Sequence, residues 1–165
     1  MPHLDAAYRF ARWLTRSSAD AEDIVQEAML RAFRGFEGLR GTDAKGWLLA
    51  IVRNCHATAL KQRLRSAAAP LPPETQFDPP SSAPDPQAAS IDQDERRRLD
   101  RLLAALPQEH REVLLLRELE DMSYREIAAV TQVPIGTVMS RLARARAALR
   151  GKYLEEEAGA PRAVR

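Results

Sequence analysis

The sequence predicts an all-α protein made of two small helical domains joined by a flexible linker. Aromatic residues make up 5% of the chain and there are only 7 glycines, whereas Ala, Leu, Arg and Glu are abundant, which favours helices over a sheet. Apolar residues recur at helical spacing on both sides of residues 66–90, which hold 7 of the 11 prolines. We therefore expect a domain over 1–65, a Pro-rich acidic linker over 66–91, a second domain over 92–153 and a tail over 154–165.

The net charge of +2 is unevenly distributed along the chain. Residues 1–65 carry 11 Lys/Arg against 7 Asp/Glu, residues 66–95 carry 6 acids and no base, and residues 96–165 carry 14 bases against 10 acids. Two basic ends raise the expectation of a polyanionic partner. The sequence has no apolar run of membrane-spanning length, no signal-peptide pattern and one cysteine, so we expect a cytoplasmic protein without membrane insertion.

The N-terminal domain is predicted to hold three helices. The first follows Leu4, the second opens at Asp20 and is broken by glycines, and the third follows a cap at Thr42 or Asp43. The residues expected to face inward are, in chain order, Leu4, Ala7, Tyr8, Ala11, Leu14, Val25, Ala28, Met29, Ala32, Phe33, Phe36, Leu48, Ile51, Val52 and Cys55.

The C-terminal domain is predicted to hold four helices. Pro107 separates the first from a leucine-rich second helix, and Ser123 with Glu126 forms a capping box that opens the short third helix. The fourth helix is expected to run from about Ile135 to Lys152. The apolar stripe of the first helix is Leu99, Leu102, Leu103 and Leu106, and that of the last is Val138, Leu142, Ala145 and Leu149.

The last two helices have the pattern of a helix-turn-helix: a capped short helix, a tight turn and a longer basic helix. Between Pro134 and Lys152 the chain has five basic residues and no acid. Hydroxyls and guanidinium groups near a helix N-terminus suit phosphates and guanine edges in the major groove. The polar groups of this helix share a face that is separate from its apolar face. They are Thr137, Ser140, Arg141 and Arg144. A solvated amphipathic helix is the alternative interpretation, and Arg146 and Arg150 point elsewhere.

The third helix is a second candidate nucleic-acid surface, because residues 44–73 contain no acid. Trp47, Arg53 and Asn54 combine an indole, a cation and an amide, which suits a strand with unstacked bases. Core packing of Trp47 and a solvated basic face are the alternative interpretations. On the second helix, Asp23, Gln26, Glu27 and Arg31 form a polar face that is, taken alone, an ordinary exposed surface.

Four segments in this order resemble a bacterial extracytoplasmic-function (ECF) sigma factor. They are DAEDIVQEAMLRAFRGF, WLLAIVRN, LPQEHREVLLL and YREIAAVTQVPIGTVMSRLARARAALR, and the resemblance covers about residues 4–152. It implies that the N-terminal domain is sigma region two and the C-terminal domain is sigma region four. In that family Gly is common at the position of Asp121, and Asp also tolerates the left-handed conformation that such a turn needs.

The resemblance implies a role for each surface. Core RNA polymerase would be bound by Asp23, Gln26, Glu27 and Arg31. The loop of residues 37–43 and the third helix would melt the −10 promoter element and hold one strand, with Lys45, Trp47, Arg53, Asn54 and Lys61 as candidates. Thr137, Ser140, Arg141 and Arg144 would read the −35 element. The implied partners are core RNA polymerase, promoter DNA and an anti-sigma factor, in a bacterial cytoplasm.

Two other classes of function compete with that of a sigma factor. A stand-alone helix-turn-helix regulator would bind duplex DNA without polymerase. An enzyme would need a catalytic constellation, and the sequence shows no catalytic triad, no glycine-rich phosphate loop and no metal-ligand spacing among His3, His56, His110 and Cys55. We therefore expect a protein that is not an enzyme and needs no cofactor or metal.

Overall fold

The structure, a computed structural model, describes residues 3–35, 43–66 and 86–159, and this part of the chain is helical without strands. The all-α prediction is confirmed. Its seven helices are α1 (Leu4–Thr15), α2 (Ser18–Gly35), α3 (Ala44–Ser66), α4 (Pro86–Ala104), α5 (Gln108–Glu118), α6 (Tyr124–Thr131) and α7 (Ile135–Gly159).

The first three helices form a bundle in which α1, α2 and α3 all pack against one another. Phe10, Leu49 and Val52 are its largest fully buried side chains. Alanines occupy most of the α2 seam, so the helix axes can approach closely around these larger groups. Asp43 caps α3 as predicted, because its Oδ1 accepts a hydrogen bond from the Gly46 amide at 2.8 Å.

Three residues that the sequence predicted to face inward lie at the surface instead. Phe33 is 78% exposed, and Leu4 and Leu99 are also exposed. Phe33 falls about 120° around α2 from the seam that packs on α1 and α3, so its side chain misses the core. Phe36 lies outside the described residues. The remaining inward predictions are buried or half-buried.

The helix-turn-helix of α6 and α7 forms as predicted. Ser123 Oγ accepts from the Glu126 amide at 3.3 Å, and the Glu126 carboxylate accepts from the Ser123 amide at 2.6 Å, which completes the capping box. Gln132 (φ 57°) ends α6 in the left-handed conformation. Asp121 (φ 51°) makes the turn before α6 in the same conformation, as the sequence predicted for an Asp in that position.

Two helix bounds differ from the predictions. α4 begins at Pro86, inside the predicted linker, because a proline is tolerated in the first helical turn and no other proline follows until Pro107. α7 continues beyond Lys152 to Gly159, so residues 154–159, which were expected to belong to a tail, are helical. This extension packs on α4, where the Arg98 guanidinium lies 3.8 Å from the centre of the Tyr153 ring and 3.0 Å from the Glu156 carboxylate.

The two halves share one core, an arrangement that the sequence left open. α3 packs on α6 and α1 packs on α5. A single cluster of buried apolar side chains includes Leu49 and Val52 from the first half and Val113, Ile127 and Leu142 from the second. The C-terminal half therefore covers one side of the N-terminal bundle.

No helix in the described ranges is both long enough and apolar enough to cross a membrane. In the same ranges, no three His, Cys, Asp or Glu side chains come close enough together to hold a metal ion.

Candidate nucleic-acid and polymerase interfaces

The N-terminal part of α7 separates an apolar face from a polar one. Val138, Leu142 and Ala145 are buried against the rest of the C-terminal half, whereas Ser140 and Arg144 are exposed. Thr137 is half-buried beside them. The polar groups that were predicted to read the −35 element thus lie on a surface that a DNA groove could reach.

Arg141 differs from its three neighbours on this face because it is already paired. Its Nη2 lies 2.7 Å from the Glu109 carboxylate at the start of α5, and Glu109 is well exposed. The Arg141 side chain is only 16% exposed, so a phosphate or a guanine would have to compete with Glu109 for a partly covered guanidinium. Within the described residues, Arg144 makes no ion pair and is the more accessible cation of the two.

The five residues predicted to hold the −10 strand fall into two groups on α3. Trp47, Asn54 and Lys61 follow one another at intervals of seven residues. Each therefore lies only about 20° around the helix from the one before it, on the same face. Asn54 and Lys61 are exposed there, and Trp47 is half-buried against the core, next to Gly35. The three side chains therefore lie in a row along one face, about 10 Å apart at 1.5 Å per residue.

The other two, Lys45 and Arg53, face the C-terminal half. Lys45 Nζ lies 2.9 Å from Glu120 Oε2 and donates a hydrogen bond to the Glu120 carbonyl at 2.7 Å. Arg53 Nε lies 2.9 Å from Glu112 Oε2. Each of these predicted DNA contacts is therefore engaged by a carboxylate from the other half.

Sequence reasoning missed Glu112 and Glu120, whose side chains are only 3% and 1% exposed. Glu112 does carry a signal, because it falls at helical spacing on the same face as Leu115 and Leu116. A carboxylate on an apolar face is rarely buried unless a cation meets it. Glu120 lies beyond the end of α5 and has no such pattern.

A buried histidine lies near the same boundary between the halves. His56 of α3 has no hydrogen-bond partner for Nδ1 among the described residues. Burial lowers its pKa below the ordinary 6.5; nearby Glu112 acts in the opposite direction, and the charges of Arg111, Arg63 and Arg53 reinforce the lowering. His56 is thus a neutral group in a region crowded with cations.

The polar surface of α2 is exposed over its whole length. Asp23, Gln26, Glu27 and Arg31 all lie at the surface, and Arg31 Nε contacts Glu27 Oε1 at 2.6 Å. The same side of the helix also carries two apolar residues, Leu30 and Phe33, which are exposed. Exposed large apolar groups framed by charges are typical of a protein-binding surface.

The sequence matches two families, described as Sigma-70 region 2 over residues 1–66 and Sigma-70, region 4 over residues 96–149. It is 33% identical over 147 residues to the ECF RNA polymerase sigma-E factor of Escherichia coli, covering 82% of this chain and 74% of that protein. The chain belongs to the ECF sigma factors.

Other relatives agree with this assignment. This ECF sigma factor is 36% identical over 150 residues to the ECF RNA polymerase sigma factor SigE of Mycolicibacterium smegmatis, covering 90% of the chain but only 57% of that relative. Among solved structures, it is similar to the sigma factor RpoE of Bartonella quintana in complex with the anti-sigma factor NepR. That match has a TM-score of 0.72 and 27% identity, and it covers 90% of this chain and 89% of the other.

Proposed function

We propose that this ECF sigma factor binds core RNA polymerase and directs it to promoters by contacting both the −35 and the −10 element. The observation that carries this proposal is the exposed polar face of α7, held by a capped helix-turn-helix in a chain of this family. Its test is transcription of pooled genomic promoter fragments by purified core polymerase, with and without the protein. We expect discrete new start sites only when the protein is present, and their absence would overturn the proposal.

At the −35 element, α7 would enter the major groove with Thr137, Ser140, Arg141 and Arg144. Replacement of Arg144 by Ala should weaken use of a cognate upstream element by about 1–3 kcal/mol, roughly 5- to 150-fold, if the guanidinium contacts a base. Arg150→Ala is the matched control, because Arg150 is an exposed arginine of the same helix outside that face. Equal losses for both variants would show that α7 contributes only charge.

At the −10 element, a single strand would lie along the exposed face of α3 that carries Trp47, Asn54 and Lys61. Stacking of a base on an indole contributes about 1–3 kcal/mol and tolerates different sequences. Lys45 and Arg53 also remain proposed contacts to this strand. They lie on other sides of α3, about 180° and 100° from Asn54, and are paired with Glu120 and Glu112. The loop of residues 37–43 belongs to this proposal, although residues 36–42 lie outside the described part of the chain.

Core polymerase would bind the exposed side of α2. We propose Asp23, Gln26, Glu27 and Arg31 as its polar contacts and Phe33 with Leu30 as its apolar ones. Asp23→Arg and Phe33→Ala should each reduce retention on immobilised core polymerase without changing helical content, because all these side chains lie at the surface. Asp5→Arg is the control for charge, since Asp5 is also exposed but lies on α1, outside the proposed surface. Unchanged retention of both the Asp23→Arg and the Phe33→Ala proteins would show that core polymerase binds a different surface.

An anti-sigma factor is a further proposed partner, supported by the solved sigma factor that was captured with NepR. We propose a bacterial cytoplasm as the location and a non-enzymatic role.

The competing function is a stand-alone helix-turn-helix regulator. It would be favoured if the free protein bound one duplex sequence tightly and was not retained by core polymerase.

A further inference from the structure

We propose that a cleft between α1, α4 and α5 binds the phosphate group of a small molecule, with Arg16 and Arg111 as its ligands. The cleft lies apart from the surfaces of α2, α3 and α7 that are proposed for polymerase and DNA, and the inference does not depend on them. The side chains that line it are those of Trp13, Arg16, Asp100, Leu103, Ala104 and Arg111.

Arg111 of α5 carries a donor that the rest of the described chain leaves unsatisfied. Its Nε is buried without a hydrogen-bond partner among those residues. The neighbouring Glu112 directs its two oxygens to Arg53 and Gln108 instead. Burial lowers the pKa of Arg111 and the charge of Arg16 adds to this, whereas Glu112 acts in the opposite direction. A buried charged donor without an acceptor is costly, so an acceptor supplied by a ligand would stabilise it.

Arg16 brings a second cation to the same cleft. It is exposed and ends α1 in the left-handed conformation (φ 58°), where its amide donates to the Arg12 carbonyl at 2.8 Å. Its guanidinium, like that of Arg111, forms no ion pair with a carboxylate of residues 3–35, 43–66 or 86–159. A basic residue at a helix C-terminus is favoured by the helix dipole, but this does not explain a second arginine on the same cleft. Two like charges repel each other unless an anion lies between them.

A phosphate group fits this pair of cations. A guanidinium is a planar fork of donors that matches two phosphate oxygens, so two arginines can hold one phosphate by several charge-assisted hydrogen bonds. Asp100 is the only carboxylate among the six lining residues. Burial raises the pKa of Asp100, against the opposing charges of Arg16 and Arg12, so its charged form is disfavoured there. Asp100 is therefore a weak competitor for the two guanidinium groups.

The shape of the cleft favours a small molecule over a nucleic acid. About 190 Å³ lies empty between its walls, with one side open to solvent, and its interior is too narrow for a water molecule. The phosphate would therefore lie at the mouth, between the exposed Arg16 and the half-buried Arg111. One pair of cations provides for one phosphate group, whereas a nucleic-acid backbone is held by a row of them. The Trp13 indole at the same cleft would contact whatever group the phosphate carries.

Calorimetric titration of the full-length protein tests the site with three probes: inorganic phosphate, pyrophosphate and adenosine diphosphate. Titration in about 0.15 M salt screens distant charges, so that only a local site is measured. We expect saturable binding of at least one probe at one site per chain. Tighter binding of adenosine diphosphate than of pyrophosphate would assign the site to a nucleotide, and the reverse order to a free phosphate. Absence of saturable binding for all three probes would overturn the proposal.

Charge-matched variants then separate the site from general electrostatics. Arg16→Gln and Arg111→Gln should each weaken binding about tenfold, as expected for the loss of charge-assisted hydrogen bonds. Arg150→Gln is the control, because Arg150 is an exposed arginine on α7 and its loss changes the net charge equally. Asp100→Asn should bind several-fold more tightly, since it removes the one lining carboxylate. Equal losses in the three arginine variants would contradict the proposal.

Two further measurements keep these results interpretable. Circular dichroism reports whether each variant folds, and Arg16→Gln tests the site even if Arg111→Gln does not fold, because Arg16 is exposed. A fluorescein-labelled single-stranded oligonucleotide should bind the wild-type protein and Arg16→Gln equally. A loss of oligonucleotide binding in Arg16→Gln, without binding of any probe by the wild-type protein, would assign the two cations to nucleic acid and overturn the proposal. Failure of the proposed function is distinct, because it would show as absence of promoter-dependent transcription with core polymerase.

Discussion

The shared core predicts that a cavity made in the C-terminal half lowers the stability of the N-terminal half as well. Leu142 of α7 is 1% exposed and belongs to the cluster that spans both halves. Leu142→Ala removes three buried carbon atoms and leaves a cavity, and substitutions of this kind cost about 2.7–5 kcal/mol. We therefore expect a loss of about 3 kcal/mol in the free energy of unfolding.

The two tryptophans make this coupling measurable, because both lie in the N-terminal half. Trp13 lies beside α4 and α5, so a Trp13→Phe background leaves Trp47, which lies against Gly35 of α2, as the reporter. With a urea dependence of about 2 kcal/mol per molar for a protein of this size, the midpoint of the Trp47 fluorescence transition should fall by about 1.5 M in Leu142→Ala.

Leu154→Ala is the matched control, since it changes a leucine of the same helix whose side chain is half exposed, and its midpoint should stay near that of the background protein. Circular dichroism follows all the helices and should give the same midpoint as fluorescence in each variant. A Leu142→Ala protein that loses helix early while its Trp47 midpoint is unchanged would refute the coupling, because the halves would then unfold independently.

Three further predictions concern single side chains. Ser123→Ala removes the hydroxyl that caps α6 and should lower the free energy of unfolding by about 1 kcal/mol in urea titrations. The wild-type protein should lose stability as the pH falls below about 6.5, because burial lowers the pKa of His56 in the folded state. The imidazole therefore takes up a proton in the unfolded chain before it does so in the folded protein. His56→Gln should show a weaker dependence of stability on pH in that range. Cys55 should react slowly with iodoacetamide in the folded protein, because it is buried and burial raises the pKa of its thiol.

Each of these predictions has a result that contradicts it. An unchanged urea midpoint in Ser123→Ala would mean that water replaces the cap. Identical slopes of stability against pH in the wild-type protein and His56→Gln would assign the loss to other groups, and His110→Gln provides a comparison for removal of an imidazole elsewhere. Alkylation of Cys55 as fast in the folded protein as in urea would show that α3 opens readily.

The local structure was predictable because its causes lie close together in the sequence. The Ser123 and Glu126 capping box needs only three residues of spacing, and the seam of α7 repeats every three or four residues. The prediction for Phe33 was wrong because periodicity identifies an apolar stripe but not its width. The alanines of α2 already fill the space between α1 and α3, and Phe33 lies beyond their edge.

The contact between the halves could not be predicted in this way. Lys45 and Glu120 are 75 residues apart and Arg53 and Glu112 are 59 apart, so no periodic pattern links them. The sequence shows a group of cations on α3, but the number and the sign of these charges are the same whether a nucleic-acid strand or a carboxylate faces them. Which partner they meet depends on how two helical units pack, and that is decided by long-range burial instead of local propensity.

Arg98 of α4 clamps the C-terminal end of α7 through its contacts with Tyr153 and Glu156. The clamped residues lie about 27 Å from the start of the helix, at 1.5 Å per residue, and the helix continues between the two points. α4 thus holds one end of a continuous helix whose other end carries Ser140 and Arg144, and α5 and α6 also pack on it. For the proposed contacts of these two side chains with DNA, the angle of α7 would depend on α4 as well as on its nearer neighbours.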